Sequence, residues 1–328
     1  MKRILFPFIS AILLFLTISC EENISPKGET PQKYSVNLIL RGDTTFQTAY
    51  ISRLYDVEGF DPYIKKDDPA VPGASVSIKY TDSNKRYFFR DTVDNDNLNS
   101  RYNTPARYYY IKNFRPAYGK EIELNIILPE GQQLSSKTKI SEGIYFDEIK
   151  TLPYIPGPFV DRDTVYINVV WENSSLDLVK AKKVYFDYYY KELSGQKTKY
   201  TKQVPITISN FDGIVNVDYN NVSYRNDLKI SRKILEQALE EISAGNSAKG
   251  RYSIAPLIVE VILYDENLSK YFAADLFFDY GFTIRSYPAD ITNINGGLGF
   301  FGSYSSTKRI IKFDPQYLLK RFGYLSAN

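Results

Sequence analysis

Histidine is missing altogether, and cysteine, methionine and tryptophan occur once each, as Cys20, Met1 and Trp171. Without an imidazole neither a Ser-His-Asp triad nor a Cys-His pair can be assembled, because each needs a base that takes the nucleophile's proton. Zinc and copper centres built on imidazole or thiolate fall with them. A lone cysteine allows no internal disulfide, so stability must come from packing. What remains is carboxylate, lysine, tyrosine or serine chemistry. No apolar run reaches the ~20 residues of a bilayer-spanning helix. Charge of one sign is not in excess either: 41 basic side chains stand against 38 acidic ones. That balance argues against nucleic acid or another polyanion as the main partner.

The longest apolar run, Ile4 to Ile18, lies in MKRILFPFISAILLFLTISC, between the basic pair Lys2-Arg3 and the small Ser19. Its length and flanks fit a secretory signal peptide over residues 1–19. Leu16-Thr17-Ile18-Ser19-Cys20 resembles a bacterial lipobox, with Thr17 where leucine is usual. The resemblance implies that Cys20 becomes the first residue after cleavage and is lipidated, carrying diacylglycerol and a further acyl group such as palmitate. Two or more chains hold a protein stably at a membrane, whereas one is marginal. Cleavage would remove Lys2 and Arg3 and lower the net charge from +3 to +1. Residues 20–33, polar and broken by Pro26, Gly28 and Pro31, read as a flexible tether. Its Glu21-Glu22 pair resembles the acidic signal of surface-exported lipoproteins in Bacteroidetes-type bacteria.

Beyond Tyr34 the chain is rich in what strands favour, including 29 tyrosines and 20 phenylalanines. YSVNLILR (34–41), FQTAYISRLY (46–55), ASVSIKY (74–80), KRYFFRDTV (85–93), RYYYIKNF (107–114) and KEIELNIIL (120–128) alternate or run apolar between turn-rich stretches. Their spacing predicts an antiparallel β-sandwich over 34–142. A proline-rich stretch after Gly143 opens a second β unit over 143–328, with strands at 164–173, 183–192, 196–203 and 252–265. Trp171 sits in the first of these, where a core role outweighs a ligand platform. Two short helices interrupt the unit. SRKILEQALEEISAG places Ile234, Leu235, Ala238, Leu239 and Ile242 on one face with Gly245 as its stop, and ENLSKYFAADLF covers 266–277.

Few residue patterns carry chemistry. A glycosidase needs two carboxylates facing each other, and Glu58 with Asp61 or Glu121 with Glu123 supply only scattered acids. Asp94 and Asp96 in DNDNLNS have the spacing of calcium-loop oxygens but lack the glycine and closing glutamate of an EF-hand. Lys197, Lys199 and Lys202 suit an edge strand protected from aggregation. The runs Tyr108-Tyr109-Tyr110 and Tyr188-Tyr189-Tyr190 must each send a ring to either sheet face, which yields a binding surface unless both faces are covered. Gly297, Gly299 and Gly302 spell G-x-G-x-x-G, but no helix opens at the third glycine, so a dinucleotide loop is not expected. A bulged crossing close to a neighbouring strand is, packed on the core of the second unit.

Asn293-Ile294-Asn295-Gly296-Gly297-Leu298-Gly299-Phe300-Phe301-Gly302 resembles the closing signature of a family of Bacteroidetes-type outer-membrane lipoproteins of unknown function, the DUF4249 type. VPGASVSI (71–78) and the strand-then-helix at 257–277 agree with it. The resemblance implies an immunoglobulin-like domain followed by a fibronectin-type-III-like one, no catalytic residues or cofactor, and a TonB-dependent β-barrel receptor as partner. The expected function is a non-enzymatic accessory that captures a ligand or caps the barrel. The alternatives are an adhesive surface module and a carboxylate-dependent glycan hydrolase.

Overall fold

Alternation of apolar and polar residues builds the first half of the body. In β1 (Tyr34–Arg41), Val36, Leu38 and Leu40 are buried while Asn37 and Ile39 face out. The computed structural model describes residues 33–54, 66–95, 102–151, 154–155, 166–172, 178–211, 214–277 and 292–327. Cys20, the tether, Glu58, Asp61 and Asp96 therefore lie outside the described residues. After β1 come β2 (Gln47–Arg53), β3 (Ser75–Tyr80), β4 (Arg86–Phe88), β5 (Arg90–Asp94), β6 (Ala106–Ile111), β7 (Glu121–Ile127) and β8 (Gln133–Lys139). An antiparallel sheet ordered β4-β3-β7-β8 faces β1, β2 and β6 across one core that includes Ile78, Leu124, Leu38 and Ile51. Tyr109 closes this core: its hydroxyl donates to the Val71 carbonyl at 2.6 Å and accepts from the Ala74 amide at 2.9 Å.

The second half contributes β9 (Tyr145–Phe146), β10 (Tyr154–Ile155), β11 (Tyr166–Glu172), β12 (Lys180–Lys191), β13 (Lys197–Gln203), β14 (Thr207–Phe211), β15 (Ile214–Asp218), β16 (Asn221–Ser223) and β17 (Asp227–Ser231). Then follow α1 (Arg232–Glu241), β18 (Tyr252–Tyr264), α2 (Glu266–Phe277), β19 (Leu298–Phe313), a helical turn continuing as a π-helix over Leu318–Phe322, and β20 (Leu325–Ser326). Trp171, buried as its sequence setting predicts, meets Phe146 edge-on in a second core with Phe186, Leu239 and Leu257. Pro256 falls where β18 carries one residue more than β12, between the pairs Phe186–Leu257 and Tyr188–Ile254. A bulge there spares the sheet a missing amide donor. Lys197 and Lys199 lie on the edge strand β13, while Lys202 turns to the other face and reaches Glu241 at 2.6 Å.

The fold is mainly β and sandwich-like, and one long sheet runs through both cores in the order β13-β12-β18-β19-β1-β2-β6-β5. Its hinge strand is β19. Leu298 to Tyr304 pair parallel with β1, and Tyr304 to Ile311 pair antiparallel with β18. This corrects one expectation. The glycine segment packs on the first core, where Ile294 and Phe301 are buried, and only Ile311 and Phe313 enter the second. The reason is register: Phe301 lies beside Leu38 on the inner face, and the strand must reach it across the β1 backbone. At Gly299, φ is +100° and an added Cβ would lie 2.1 Å from the Val36 carbonyl oxygen. A close crossing is what the sequence predicts there.

Candidate functional site

Period-two alternation on the β4-β3-β7-β8 sheet sends a second set of side chains to its outer face. The register aligns Arg86, Lys79, Glu123 and Lys137 in one row across the four strands. Beside it runs a second row, Phe88, Ser77, Asn125 and Ser135. Glu123 bonds to Lys79 at 2.9 Å and to Lys137 at 2.7 Å. Hydrogen bonds from Lys137 and Lys79 hold its carboxyl below the usual range, and Glu123 raises the Lys137 ammonium. The Arg86 guanidinium makes no hydrogen bond or ion pair among the described residues. Three cations around one carboxylate leave the row at a charge of +2.

The first row, with Asn125 and Ser135 of the second, lines a cleft of about 460 Å³ together with Leu124, Ser136 and Asn295, a size suited to a small ligand. Asn295 belongs to the segment before β19, which exchanges backbone hydrogen bonds with Ser135 at 3.2 and 2.8 Å. That pairing covers the β8 edge at this point, so the cleft presents side chains rather than a free strand edge. With its pKa lowered in this way, Glu123 is a poor proton donor near neutral pH.

The candidate hydrolase pair does not converge. Glu121 and Glu123 stand two residues apart on one strand, so they share a face instead of confronting each other, and both approach Lys137. Asp94 ends β5, and among the described residues no three His, Cys, Asp or Glu side chains come together in a way that could hold a metal ion. Of the tyrosine runs, Tyr109 is buried, while Tyr108 and Tyr110 lie half-buried on the outer face of the long sheet, Tyr110 stacked on Phe46 at 5.6 Å. Tyr188 and Tyr190 pack with Tyr252 against the second core, and Tyr189 occupies the opposite face. No described helix is long and apolar enough to cross a membrane.

Three buried charged residues, Asp265, Lys180 and Lys182, were not expected from the sequence. Asp265 caps α2, accepting from the Leu268 amide at 2.8 Å, and also accepts from Thr138 on β8 and from the amide and hydroxyl of Ser303 on β19. Burial raises its pKa to about 6, against the pull of these donors. One side chain thus joins the first sandwich, the shared strand and the helix. Lys180 and Lys182 occupy the inner face of β12, a placement residue type argues against. Lys182 donates to Asn221 at 3.1 Å and to Ser223, 5.9 Å from the Trp171 ring centre, and burial lowers its pKa to about 8. Lys180 donates to the Tyr224 carbonyl at 3.1 Å, so the pair pins residues 221–224 to the sheet.

Together, fold and cleft define a mainly β, two-core sandwich-like protein with a charged cleft on one sheet's outer face. The chain matches the model of the family described as "Domain of unknown function (DUF4249)" over residues 21–310, and it belongs to that family. A search of curated proteins finds no match.

Proposed function

We propose that this is a non-enzymatic lipoprotein of the outer membrane that captures a ligand for, or caps, a TonB-dependent β-barrel transporter. The observation that carries this reading is Leu16-Thr17-Ile18-Ser19-Cys20, in which the only cysteine of the chain directly follows an apolar signal-like run. The polar tether after it gives the body reach from the bilayer, and the cationic cleft gives it a place to hold a ligand. Metabolic labelling with a palmitate analogue, read by mass spectrometry of the N-terminal peptide, tests the anchor. Acyl groups are expected on Cys20 and none on a Cys20→Ala chain. An unacylated wild-type protein refutes the reading.

A second reading, an adhesive surface module, draws on the outer face of the long sheet. There Ile39 and Phe46 are exposed beside Tyr108 and Tyr110. Adhesion that survives loss of the cleft charges and disappears when Phe46 and Tyr110 become alanine would favour it.

A further inference from the structure

Strands in a sheet lie ~4.8 Å apart, so the cleft's row places Arg86 and Lys79 one spacing apart and Lys137 three spacings, about 14 Å, from Arg86. Between the cations the row offers Glu123, and the neighbouring row offers only neutral hydrogen-bonding groups, Ser77, Asn125 and Ser135. Phe88, 59% exposed, stands in that neighbouring row opposite Ser77, outside the cleft's lining. We propose that the cleft binds a polyhydroxylated dianion of roughly disaccharide length, a sugar acid with a carboxylate toward each end.

Each part of the cleft has a counterpart in such a ligand. One carboxylate meets Arg86, whose planar fork takes both oxygens, with Lys79 beside it. The hydroxylated body lies over Asn125, Ser135 and Asn295, whose amides and hydroxyl both donate and accept. Its ring face covers the aliphatic stem of Lys79, and one hydroxyl donates to Glu123. The second carboxylate reaches Lys137, competing with Glu123 for its ammonium. An extended peptide fits less well, because β-strand addition needs a free edge, and backbone bonds from Asn295 occupy Ser135 on β8. The attraction is local, since the chain as a whole is near charge balance.

This assignment rests on the capture reading, but it is measured on the detergent-solubilised full chain alone, so its failure leaves the transporter partnership to a separate test. Calorimetric titration would compare digalacturonate with cellobiose, which has the hydroxyls without the charge, and with adipate, which has the charges without the hydroxyls. Digalacturonate is expected to bind at least ~10-fold more tightly than either, and more weakly as salt screens the cations. Arg86→Ala and Lys137→Ala should each weaken it roughly tenfold, while Glu123→Gln, which frees both lysines, should tighten it. Circular dichroism of each variant verifies that the sheet is intact. Absence of saturable digalacturonate binding up to about 10 mM, equal affinity for adipate, or wild-type affinity in both cation variants overturns the proposal.

Discussion

Replacing Gly299 by alanine should be among the most damaging single changes in the protein, although it adds one methyl group. Two costs combine. A side chain at φ +100° is strained by about 1–3 kcal/mol. The new Cβ would also lie 2.1 Å from the Val36 carbonyl oxygen and 2.9 Å from the Val36 carbonyl carbon and amide nitrogen. These are backbone atoms in a paired strand, so no rotamer change relieves the contact and β1 must move as a whole. Overpacking of this kind costs about 1–3 kcal/mol or more, which brings the total to about 2–6 kcal/mol. A typical domain has only about 5–15 kcal/mol of stability to lose. Gly131 is the control, because its φ is +88° but an added Cβ meets nothing within 4 Å. Gly131→Ala should therefore show the conformational cost alone. At roughly 2–4 °C per kcal/mol, the overpacking cost should make Gly299→Ala melt about 2–12 °C below Gly131→Ala when unfolding is followed by circular dichroism. Hydrogen exchange should also quicken at the β1 amides. Equal melting temperatures would mean that β19 does not cross β1 as closely as described.

Asp265 should make stability pH-dependent in a defined window. Its folded pKa of about 6 lies above the ordinary value of 3.8, so the stability linked to its proton is fully present below about pH 4. It is lost as pH rises through about 6, a change of about 3 kcal/mol for a shift of some two units. Asp265→Asn should flatten that part of the curve in urea titrations at a series of pH values; an unchanged slope would contradict the burial of the carboxylate. Gly302→Ala would set a Cβ 2.6 Å from the Leu268 side chain on α2, costing about 1–3 kcal/mol. Leu268→Ala should rescue part of that loss in a double-mutant cycle, and strictly additive effects would show that strand and helix do not touch there.

Strands whose inner faces are aliphatic were legible in the sequence. β1 matches its predicted span because Val36, Leu38 and Leu40 alternate cleanly, and α2 matches its predicted span as well. β8 was not legible: its inner face is Leu134, Ser136 and Thr138, so the alternation has almost no hydrophobic contrast. The cleft was hidden for the same reason, since a third of its lining residues stand on β8 and the rest depends on register, which a single sequence does not reveal. Lys180 and Lys182 were invisible because buried lysines contradict the residue-type rule on which sequence reading depends. The glycine block was read correctly as a close crossing but assigned to the wrong core. Its position before KRIIKF suggested continuity with the second unit, whereas pairing with β1 depends on a contact more than 250 residues away in sequence.

The partnership with a barrel is the part of the functional reading that most needs a direct measurement. Membranes carrying the tagged full-length protein would be extracted in a mild detergent, and the proteins retained with it identified. A TonB-dependent β-barrel receptor is expected at a ratio near one to one, retained with wild-type protein and absent from a matched tag-only control. Recovery of the acylated chain without any barrel would contradict the proposed role.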